Sequence, residues 1–582
     1  MKIRLANTAG FCMGVRRAVD MVLDLQRAAP PVPIVTYGPL IHNPQTLDLL
    51  ASRGIRQVSS LEAIDRGTVV IRAHGISPQE RQILKDKGVK IIDATCPRVA
   101  RVQAVIRKHA ARGHFCVIVG DADHPEVRGL LGFASAGGLA LSGADDPDMP
   151  TLVPRNGGIC VVAQTTQEVK TFDAVVRVLR EQCSDVQVYN TICDSTKKRQ
   201  SEVARLARQV DMIVVVGGKG SGNTRRLVQV AEAQHIPSLH VETEAEMESE
   251  DLAGAEVIGV TAGASTPNWQ IRRVIDRLKE IGMSRQSGFP KRLRRLADIT
   301  VMTYGWAALG GGGLSATCQV LQGRPVSWLP VAVTMLFVFS MHLLNRLQER
   351  SGAVRFNTPD IAEFYARHRN LLGTLALVSS VAAVVLSYQV SIYACVLLFA
   401  MVVAGRLYTE PILSASTLPK IRWRSLKDLP GSKTPLVAAG WAVSATVVPV
   451  LGSVSDIHVP ALVVSFLFAA GMVFWRTAMS DLLDIQGDRI VGRETIPILI
   501  GVKRTRRMLL GLLGALAVLL IGSAAGGLIP PIGYWLITSV LVFGAFLMLF
   551  RRRHLVDRLW FEGVIDGNFV LAGLVSMAYG IS

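Results

Sequence analysis

The pattern of hydrophobic and polar positions divides the 582-residue chain into two halves. Up to about residue 282, short Val- and Ile-rich runs ("VVIRAHG", "FCVIVGD", "MIVVVGG", "VIGVTAG") alternate with charged stretches, which predicts the strands and helices of an α/β domain. From about residue 298 the chain becomes a series of apolar runs, most of them near the ~20 residues that a membrane helix needs. We therefore predict an α/β domain at residues 1–282, a basic linker at 283–297 and an all-α membrane domain at 298–582.

The apolar runs of the second half predict a polytopic domain of about nine transmembrane helices. The predicted spans are residues 298–321, 326–345, 371–388, 390–409, 435–452, 459–480, 507–528, 531–550 and 564–582.

The distribution of charged residues also predicts the orientation of the chain in the membrane. The formal net charge is +18, and the loops on one side of the predicted spans carry 25 Lys and Arg residues, whereas the other side carries only Arg324. Because basic loops stay in the cytoplasm, this asymmetry predicts an integral protein of the cell inner membrane with the α/β domain cytoplasmic. The N-terminal "MKIRLANTAGFCMGV" has no apolar core of signal-peptide length. Topology explains much of the basic charge, so nucleic acid is not an expected partner.

Three of the eight cysteines stand at positions typical of a functional site. Cys12 in "AGFCMGV", Cys96 in "DATCPRV" and Cys193 in "NTICDSTKKRQ" each follow a strand-like run and precede a helical one. Zinc sites usually use close Cys-x-x-Cys pairs, which are absent here, whereas three distant thiolates suit an iron–sulfur cluster with one open iron. Three unrelated buried cysteines fit the spacing equally well. For the other five we expect buried, inert thiols: Cys116, Cys160, Cys183, Cys318 and Cys395.

Polar residues follow the other predicted strands. His42, His74 and His124 each lie beside Gly, Pro or Asn turn residues, which indicates one lined pocket. Glu126 next to them is a candidate proton donor. Small polar groups at predicted helix starts suit a ligand rich in phosphate. These groups are Thr165, Ser221, Asn223 and Ser265.

The ordered motifs GFC-x-GV, AHG, ATCP, HPEV-x-G, QTT, IC-x-x-T-x-x-RQ and GASTP resemble the 4-hydroxy-3-methylbut-2-enyl diphosphate reductase family over residues 1–282. The resemblance implies three α/β modules around a central [4Fe–4S] cluster held by Cys12, Cys96 and Cys193. It also implies Glu126 as the proton donor and a diphosphate site made of His42, His74, His124, Thr165, Ser221, Asn223 and Ser265. Gly222 departs from the family, where a second serine is common at this position.

The implied reaction removes the substrate hydroxyl reductively and yields isopentenyl and dimethylallyl diphosphate. The chain contains no flavin or nicotinamide motif, so the electrons are expected from a separate ferredoxin or flavodoxin.

Three carboxylates end the sixth predicted span, in "SDLLDIQGDRIVGRETIP". Asp481, Asp484 and Asp488 recur at i, i+3 and i+7 and therefore share one helical face. Carboxylates this close favour a divalent cation such as Mg²⁺, which is commonly bound together with substrate phosphates. Arg489 and Arg493 could meet the remaining phosphate charge. A solvated cytoplasmic turn is the alternative interpretation.

The pattern D-x-x-D-x-x-GD-x-x-x-G-x-x-TIP, together with "KDLPGSK", resembles the UbiA superfamily of intramembrane prenyltransferases over residues 298–582. The resemblance implies two Mg²⁺ sites and a polyprenyl diphosphate bound with its tail along the lipid-facing bundle. The implied phosphate contacts are Tyr408, Lys427, Asp428, Arg489 and Arg493.

The first acidic motif departs from that family. Asn345 is present, but Glu349 replaces the first aspartate and Ala353 stands where the last acid is expected. A glutamate can still bind Mg²⁺, and Asp360 or Glu363 could supply the missing acid.

Three functions remain open on sequence alone. The first is a bifunctional enzyme that makes five-carbon diphosphates and transfers a longer prenyl chain to an unknown acceptor. The second is an active reductase with a degenerate prenyltransferase-like membrane anchor. The third is an iron–sulfur sensor without turnover, which the histidines and Glu126 disfavour because a sensor does not need a diphosphate site with a proton donor.

Overall fold

The computed structural model describes residues 1–28, 33–284, 289–348, 358–408, 429–453, 457–491, 493–549 and 558–581. The chain divides into two compact units, Met1–Arg285 and Gln286–Ser582. Each unit has its own core, and each is described separately.

The first unit contains three four-stranded sheets in which every strand pair is parallel. The strand orders are β1-β12-β10-β11, β3-β2-β4-β5 and β7-β6-β8-β9. The strands are β1 (Lys2–Leu5), β2 (Ile34–Tyr37), β3 (Ile55–Val58), β4 (Thr68–Ile71), β5 (Lys90–Asp93), β6 (Phe115–Val119), β7 (Gly138–Leu141), β8 (Gly158–Ala163), β9 (Asp185–Tyr189), β10 (Met212–Val216), β11 (Ser238–Val241) and β12 (Val257–Ala262).

Helices lie in most of the connections between these strands, as is usual for parallel pairing; β3 and β4 are joined without one. The helices are α1 (Met13–Ala28), α2 (Pro44–Ser52), α3 (Pro78–Asp86), α4 (Pro97–Ala110), α5 (Pro125–Leu131), α6 (Met149–Leu152), α7 (Val169–Gln182), α8 (Asp194–Ala207), α9 (Gly222–Glu232) and α10 (Asn268–Ser284). Proline near the first turn begins several of them; α3 also has a capping box in which the Ser77 side chain and the Glu80 side chain each accept a backbone N–H.

The four runs quoted as strands from the sequence are the inner strands β4, β6, β10 and β12, and they are almost fully buried. Continuous apolar runs are typical of parallel strands that are covered on both faces by helices. The predicted arrangement of three α/β modules is confirmed, with one difference in connectivity. The first sheet combines the N-terminal strand β1 with the last three strands of the unit, so the modules do not follow one another simply along the chain.

The second unit is entirely helical in its described residues, as predicted. Its helices are α11 (Phe289–Met302), α12 (Gly305–Leu321), α13 (Trp328–Leu347), α14 (Pro359–Arg367), α15 (Arg369–Val390), α16 (Ile392–Leu407), α17 (Lys433–Val450), α18 (Val459–Val491), α19 (Ile496–Ile500), α20 (Val502–Ala525), α21 (Ile532–Trp535), α22 (Ile537–Leu549) and α23 (Arg558–Ile581).

Six segments in the described residues are long and apolar enough to cross a membrane. They are Trp328–Leu347, Arg369–Val390, Val459–Ile485, Val502–Ala525, Ile532–Leu549 and Trp560–Gly580. Each of the nine predicted apolar runs is helical in the structure, but the count of nine spans stays a prediction.

The predicted first span, residues 298–321, is broken rather than continuous. Tyr304 adopts a left-handed conformation with φ of 61° between α11 and α12. Tyrosine rarely adopts this conformation, which interrupts the helix, and Gly305 follows directly as the first residue of α12.

Small residues allow close helix packing in this unit. A Cβ on Gly313 would lie 2.4 Å from the Phe569 carbonyl oxygen, and one on Gly573 would lie 2.5 Å from the Gly313 Cα. Helices α12 and α23 therefore touch through backbone, a packing mode typical of helices in lipid. A buried ion pair between Arg476 of α18 and Asp566 of α23 joins the last helix to the bundle.

Candidate functional site

The three cysteines singled out from the sequence each follow an edge strand of a different sheet. Cys12 comes after β1, Cys96 after β5 and Cys193 after β9, and each directly precedes a helix. The structure thus brings the first turns of α1, α4 and α8 to one cavity with three separate thiols.

The predicted polar residues of the site follow the inner strands of the sheets. His42 follows β2 and His74 follows β4, while His124 and Thr165 follow β6 and β8. The strands β10 and β12 precede the three remaining predicted ligand-binding residues, Ser221, Asn223 and Ser265. Ligands in parallel α/β sheets bind outside the carboxyl ends of the strands, and all seven residues lie there.

Backbone hydrogen bonds tie each cysteine to the neighbouring polar loop. The Cys12 amide donates to the Ala264 carbonyl, the Cys96 amide to Ala73 and the Cys193 amide to Thr165, at 2.9–3.0 Å. Ala264 and Ala73 immediately precede Ser265 and His74 in the sequence. The spacing between thiols and polar groups is therefore fixed by main-chain contacts.

One cavity of about 100 Å³ is lined by all three cysteines and by every polar residue predicted for this unit. The lining includes Cys12, Cys96, Cys193, His42, His74, His124, Glu126, Thr165, Ser221, Asn223 and Ser265. A Cβ added to Gly14 would lie 2.5 Å from the Cys96 sulfur, so glycine is required for the first turn of α1 to pass that thiol.

The three histidines are clustered and their protein contacts are incomplete. One ring nitrogen of each lies within 4.8 Å of those of the other two. His42 Nε2, His74 Nδ1 and both side-chain polar atoms of Asn223 are buried without a protein partner. Native proteins rarely bury polar groups without partners, so these atoms indicate a ligand rich in hydrogen-bonding groups.

The electrostatics of the cavity keep the histidines neutral when no ligand is bound. Burial lowers the pKa of His124 to about 4, and burial with the neighbouring His42 and His124 holds the pKa of His74 well below its usual range. Burial and the positive charges of Arg72 and Arg225 also lower the pKa of His42. His124 Nδ1 accepts the Glu126 amide at 3.1 Å, which fixes its ring.

Glu126 is a buried acid with a fixed orientation. Its two carboxylate oxygens accept the Thr165 amide at 2.7 Å and the Thr165 hydroxyl at 2.8 Å. Burial raises the pKa of Glu126 to about 7, in opposition to those two hydrogen bonds. An acid with a pKa near neutrality can deliver and recover a proton under physiological conditions.

The donor set around the cavity fits an iron–sulfur cluster. Three free thiols at helix N-termini line one cavity, and no fourth cysteine joins them in the described residues. Thiolate ligands suit such clusters, and a three-thiol set leaves one iron without a protein ligand.

Sequence reasoning missed two residues that hold the cysteine loops in place. Thr196 donates its hydroxyl to the Thr165 carbonyl, and the buried Arg199 donates to the Ala262 and Gly10 carbonyls. Both belong to the quoted motif IC-x-x-T-x-x-RQ, and this motif is the feature of the sequence that could have identified them. Of the five cysteines expected to be inert, Cys116, Cys160 and Cys318 are buried, whereas Cys183 and Cys395 are half-buried.

In the second unit, the three aspartates of α18 are all buried, at 0%, 7% and 1% exposure for Asp481, Asp484 and Asp488. Asp481 accepts the Lys433 ammonium at 2.6 Å and the Thr434 hydroxyl at 2.9 Å. Lys433 was not singled out from the sequence, although it closes the quoted "KDLPGSK". Among the described residues, the three histidines of the first unit form the only group of three or more His, Cys, Asp or Glu side chains whose metal-binding atoms all lie within 4.8 Å of one another.

Two of the predicted phosphate contacts lie near this end of α18. Arg493 lies 3.8 Å from Asp488 and its amide donates to the Asp488 carbonyl. The Tyr408 hydroxyl lies 3.2 Å from the Ser432 hydroxyl, and the Gly431 amide donates to the Glu494 carbonyl. The end of the "KDLPGSK" segment therefore packs against the segment that follows α18.

The first acidic motif is described only in part. Asn345 is half-buried on α13, and Arg489 is half-buried on α18. Glu363 is exposed and lies 3.4 Å from Arg367. Glu349, Ala353, Lys427 and Asp428, as well as the Asp360 side chain, lie outside the described residues.

Comparison with known proteins gives a different match for each unit. The model of the LytB protein family matches residues 3–279, and that of the UbiA prenyltransferase family matches residues 366–561. The 4-hydroxy-3-methylbut-2-enyl diphosphate reductase of Solidesulfovibrio magneticus is 43% identical over 287 residues, covering 48% of this chain and 99% of the relative. The enzyme of the same name from Trichlorobacter lovleyi is 39% identical over 284 residues, covering 49% and 100%.

Each unit is also similar to a solved structure. A structure of (E)-4-hydroxy-3-methyl-but-2-enyl diphosphate reductase is 38% identical with a TM-score of 0.40, covering 48% of this chain and 100% of that protein. A UbiA homolog from Archaeoglobus fulgidus, bound to GPP and Mg²⁺, is 12% identical with a TM-score of 0.35, covering 48% and 99%. The chain belongs to the LytB family of 4-hydroxy-3-methylbut-2-enyl diphosphate reductases through its N-terminal unit, and it carries a UbiA prenyltransferase family domain in its C-terminal unit.

Proposed function

We propose that the chain is a bifunctional isoprenoid enzyme. The first unit converts 4-hydroxy-3-methylbut-2-enyl diphosphate into isopentenyl and dimethylallyl diphosphate, consuming two electrons and two protons and releasing water. The second unit transfers a prenyl chain from a polyprenyl diphosphate to an acceptor in a Mg²⁺-dependent reaction.

The observation that carries the first activity is the shared cavity. Three thiols, three neutral histidines and a buried acid with a pKa near 7 line the same space. A dinucleotide-binding or hydrolytic site would not need three separate thiols beside a group of unpaired polar atoms.

The polar residues are proposed to bind the diphosphate and to exclude water. The unpaired ring nitrogens of His42 and His74 and the Asn223 amide gain partners when phosphate oxygens arrive. Ser221 and Ser265 would add hydroxyl donors, although the Ser265 hydroxyl donates to the His42 carbonyl in the free protein and must turn. Because neutral histidines gain protons beside an anion, binding raises their pKa values.

Glu126 is proposed to hold the proton that the reaction consumes. Thr165 orients the carboxyl group through two hydrogen bonds, so the proton is presented in a fixed direction. Cys12, Cys96 and Cys193 would hold a [4Fe–4S] cluster, which when bound supplies single electrons and a Lewis-acidic iron position. A ferredoxin or flavodoxin would deliver the electrons from outside the chain.

Spectroscopy of the full-length protein tests the thiol assignment. After anaerobic reconstitution we expect the absorption of a [4Fe–4S] cluster, and we expect Cys96→Ser to lose it. Cys183→Ser is the matched control, because Cys183 is a half-buried cysteine of the same unit that does not line the cavity. A complete cluster in Cys96→Ser would refute the ligand assignment.

The membrane unit is proposed to bind a prenyl diphosphate through Mg²⁺ held by Asp481, Asp484 and Asp488. All three carboxylates are buried, and buried charges require a cation or strong hydrogen bonds. Asp481 also accepts the Lys433 ammonium, so Mg²⁺ would compete with this ammonium group for Asp481. Asn345 and Glu349 remain the proposed ligands of a second Mg²⁺ ion, and Tyr408, Lys427, Asp428, Arg489 and Arg493 the proposed phosphate contacts.

Release of diphosphate tests the transferase. Membranes that contain the protein should release diphosphate from a polyprenyl diphosphate when Mg²⁺ and a suitable lipid or aromatic acceptor are present, and Asp484→Ala should abolish this release. Glu363→Ala is the control, because Glu363 is an exposed acid of the same unit. Absence of release across a broad acceptor panel would favour the membrane-anchor alternative.

The distribution of basic loops supports a place in the inner membrane with the reductase unit in the cytoplasm. A protease added to sealed, inside-out vesicles should remove the first unit, whereas intact spheroplasts should protect it. The opposite pattern would reverse the proposed orientation.

A further inference from the structure

Arg199 is a buried cation near the thiols that the proposed chemistry does not yet use. It lies on α8, six residues after Cys193, and only 3% of it is exposed. Within the described residues of the first unit, no other Lys or Arg is fully buried. Burial of an unneutralised cation is costly, so a position of this kind generally has a partner of opposite charge.

The guanidinium group is fixed by two main-chain carbonyls. Its Nη1 donates to the Ala262 carbonyl at 3.0 Å and its Nη2 to the Gly10 carbonyl at 2.6 Å. Gly10 lies two residues before Cys12, and Ala262 ends the inner strand β12. Arg199 therefore connects the helix that begins after Cys193 to the loop that carries Cys12.

Two of the thiols and one carboxylate lie close enough to Arg199 to affect its ionisation. Burial lowers the pKa of Arg199, and the charges of Cys12, Glu202 and Cys193 oppose this shift. Glu202 is itself engaged, because it accepts the Asn7 and Thr8 amides at 2.8 Å and the Thr8 hydroxyl at 2.6 Å. The geometry therefore places the fixed guanidinium beside the loop of Cys12 and the helix that follows Cys193.

We propose that Arg199 is a positioning residue that holds a permanent positive charge beside the Cys12 and Cys193 side of the [4Fe–4S] cluster and thereby favours its one-electron reduction. The inference rests on the proposed ligation by the three cysteines. An added electron makes the cluster more negative, and a nearby cation in a partly dehydrated site stabilises that state. Net charge, hydrogen bonds and solvent exposure set the potentials of thiolate-bound clusters, and Arg199 changes the first of these. The electron comes from the external carrier protein, and no bond forms or breaks in this step.

A redox titration monitored by electron paramagnetic resonance tests the proposal on the full-length, cluster-loaded protein. Arg199→Gln removes the charge, and we expect the ratio of reduced to oxidised cluster at the wild-type midpoint potential to fall roughly tenfold. Arg199→Lys keeps a charge and should retain most of the wild-type ratio. Arg205→Gln is the matched control: Arg205 lies on the same helix and contacts Glu202, but its side chain is 67% exposed, and we expect no change.

The outcomes separate this inference from the proposed function. If Arg199→Gln has full iron content and the wild-type ratio of reduced to oxidised cluster, the inference is overturned but the proposed function is not. Equal shifts in Arg199→Lys and Arg199→Gln would also overturn it, because the contacts rather than the charge would then matter. Loss of the cluster from both variants would make Arg199 a structural residue. A wild-type protein that binds no cluster would instead refute the proposed function.

Discussion

The hydrogen bond from the Thr165 hydroxyl to Glu126 allows a quantitative test of the proton-donor assignment. Thr165→Val removes this bond but keeps the Thr165 backbone amide, which donates to the other carboxylate oxygen. A hydrogen bond to a charged group contributes about 1.5–3 kcal/mol, and one pKa unit corresponds to about 1.4 kcal/mol. Because the same hydroxyl can also accept from the protonated acid, we take the lower end and expect the pKa of Glu126 to rise by about one unit.

The direction of the effect follows from the role of the acid. A proton donor is active in its protonated form, so kcat/KM should fall as pH rises through the pKa of Glu126 in the free enzyme, at about 7. A higher pKa of Glu126 moves this decline in kcat/KM, the alkaline limb of the pH profile, to higher pH. The neighbouring histidines have lowered pKa values, so their titration lies on the acidic side and does not obscure the limb.

The assay is the pH dependence of kcat/KM for oxidation of a reduced viologen dye by the substrate. Thr165 also faces the proposed diphosphate site, so kcat/KM should fall at every pH, but the position of the limb is independent of that loss. Thr166→Val is the matched control, because Thr166 lines the same cavity and shows no hydrogen bond to Glu126. An alkaline limb that stays in place, or moves to lower pH, in Thr165→Val would refute the assignment.

Three further predictions concern the ligand, the cluster and the membrane unit. Because burial keeps the histidines neutral, inorganic pyrophosphate should bind with proton uptake at pH 7, seen calorimetrically as a binding enthalpy that depends on the ionisation enthalpy of the buffer. A binding enthalpy that is the same in every buffer would contradict protonation of the histidines beside the diphosphate. Gly14→Ala should lower the iron content, since its Cβ would lie 2.5 Å from the Cys96 sulfur, whereas Gly143→Ala has no atom within 4 Å and should not. Lys433→Met should lower the free energy of unfolding of the membrane unit by about 2–3 kcal/mol. Breaking a fully buried ion pair costs about 3–5 kcal/mol, and the effect is smaller here because the Lys433 side chain is 40% exposed. Thermal unfolding in detergent measures this, and Asp481→Asn in the Lys433→Met background should recover part of the loss.

The sequence predicted the inner strands of the first unit more readily than its edges. The strands β4, β6, β10 and β12 are apolar on both faces and were visible as continuous runs. The edge strand β1 alternates exposed and half-buried residues over only four positions, so hydrophobicity does not mark it. Nothing in the local pattern indicates that β1 pairs with β12, because this pairing joins positions about 250 residues apart.

Motif order singled out residues that line one cavity in the structure, but it did not predict how they are held. Cys12, Cys96 and Cys193 could be singled out because each follows a strand and precedes a helix. The contacts of Arg199 with the Gly10 and Ala262 carbonyls depend on long-range packing that no local pattern encodes. The same holds for Lys433, whose partner Asp481 lies 48 residues away.

Backbone conformation limited the prediction of the membrane helices. The apolar run 298–321 has the composition of one span, yet it is broken at Tyr304, a residue type that rarely adopts the left-handed conformation. The boundary between α15 and α16 was predicted better: the spans 371–388 and 390–409 meet close to Ser391, whose side chain accepts the Ala394 amide where the second helix begins.

The most direct test of the central claim is to measure the five-carbon products formed by the purified full-length protein. With reductant and 4-hydroxy-3-methylbut-2-enyl diphosphate under anaerobic conditions, we predict that the wild-type protein and Cys183→Ser form both isopentenyl and dimethylallyl diphosphate, and that Cys96→Ser forms neither. A cluster-loaded wild-type protein that forms neither product, or a Cys96→Ser variant that forms both at the wild-type rate, would contradict the assignment of the cavity as the reductase active site.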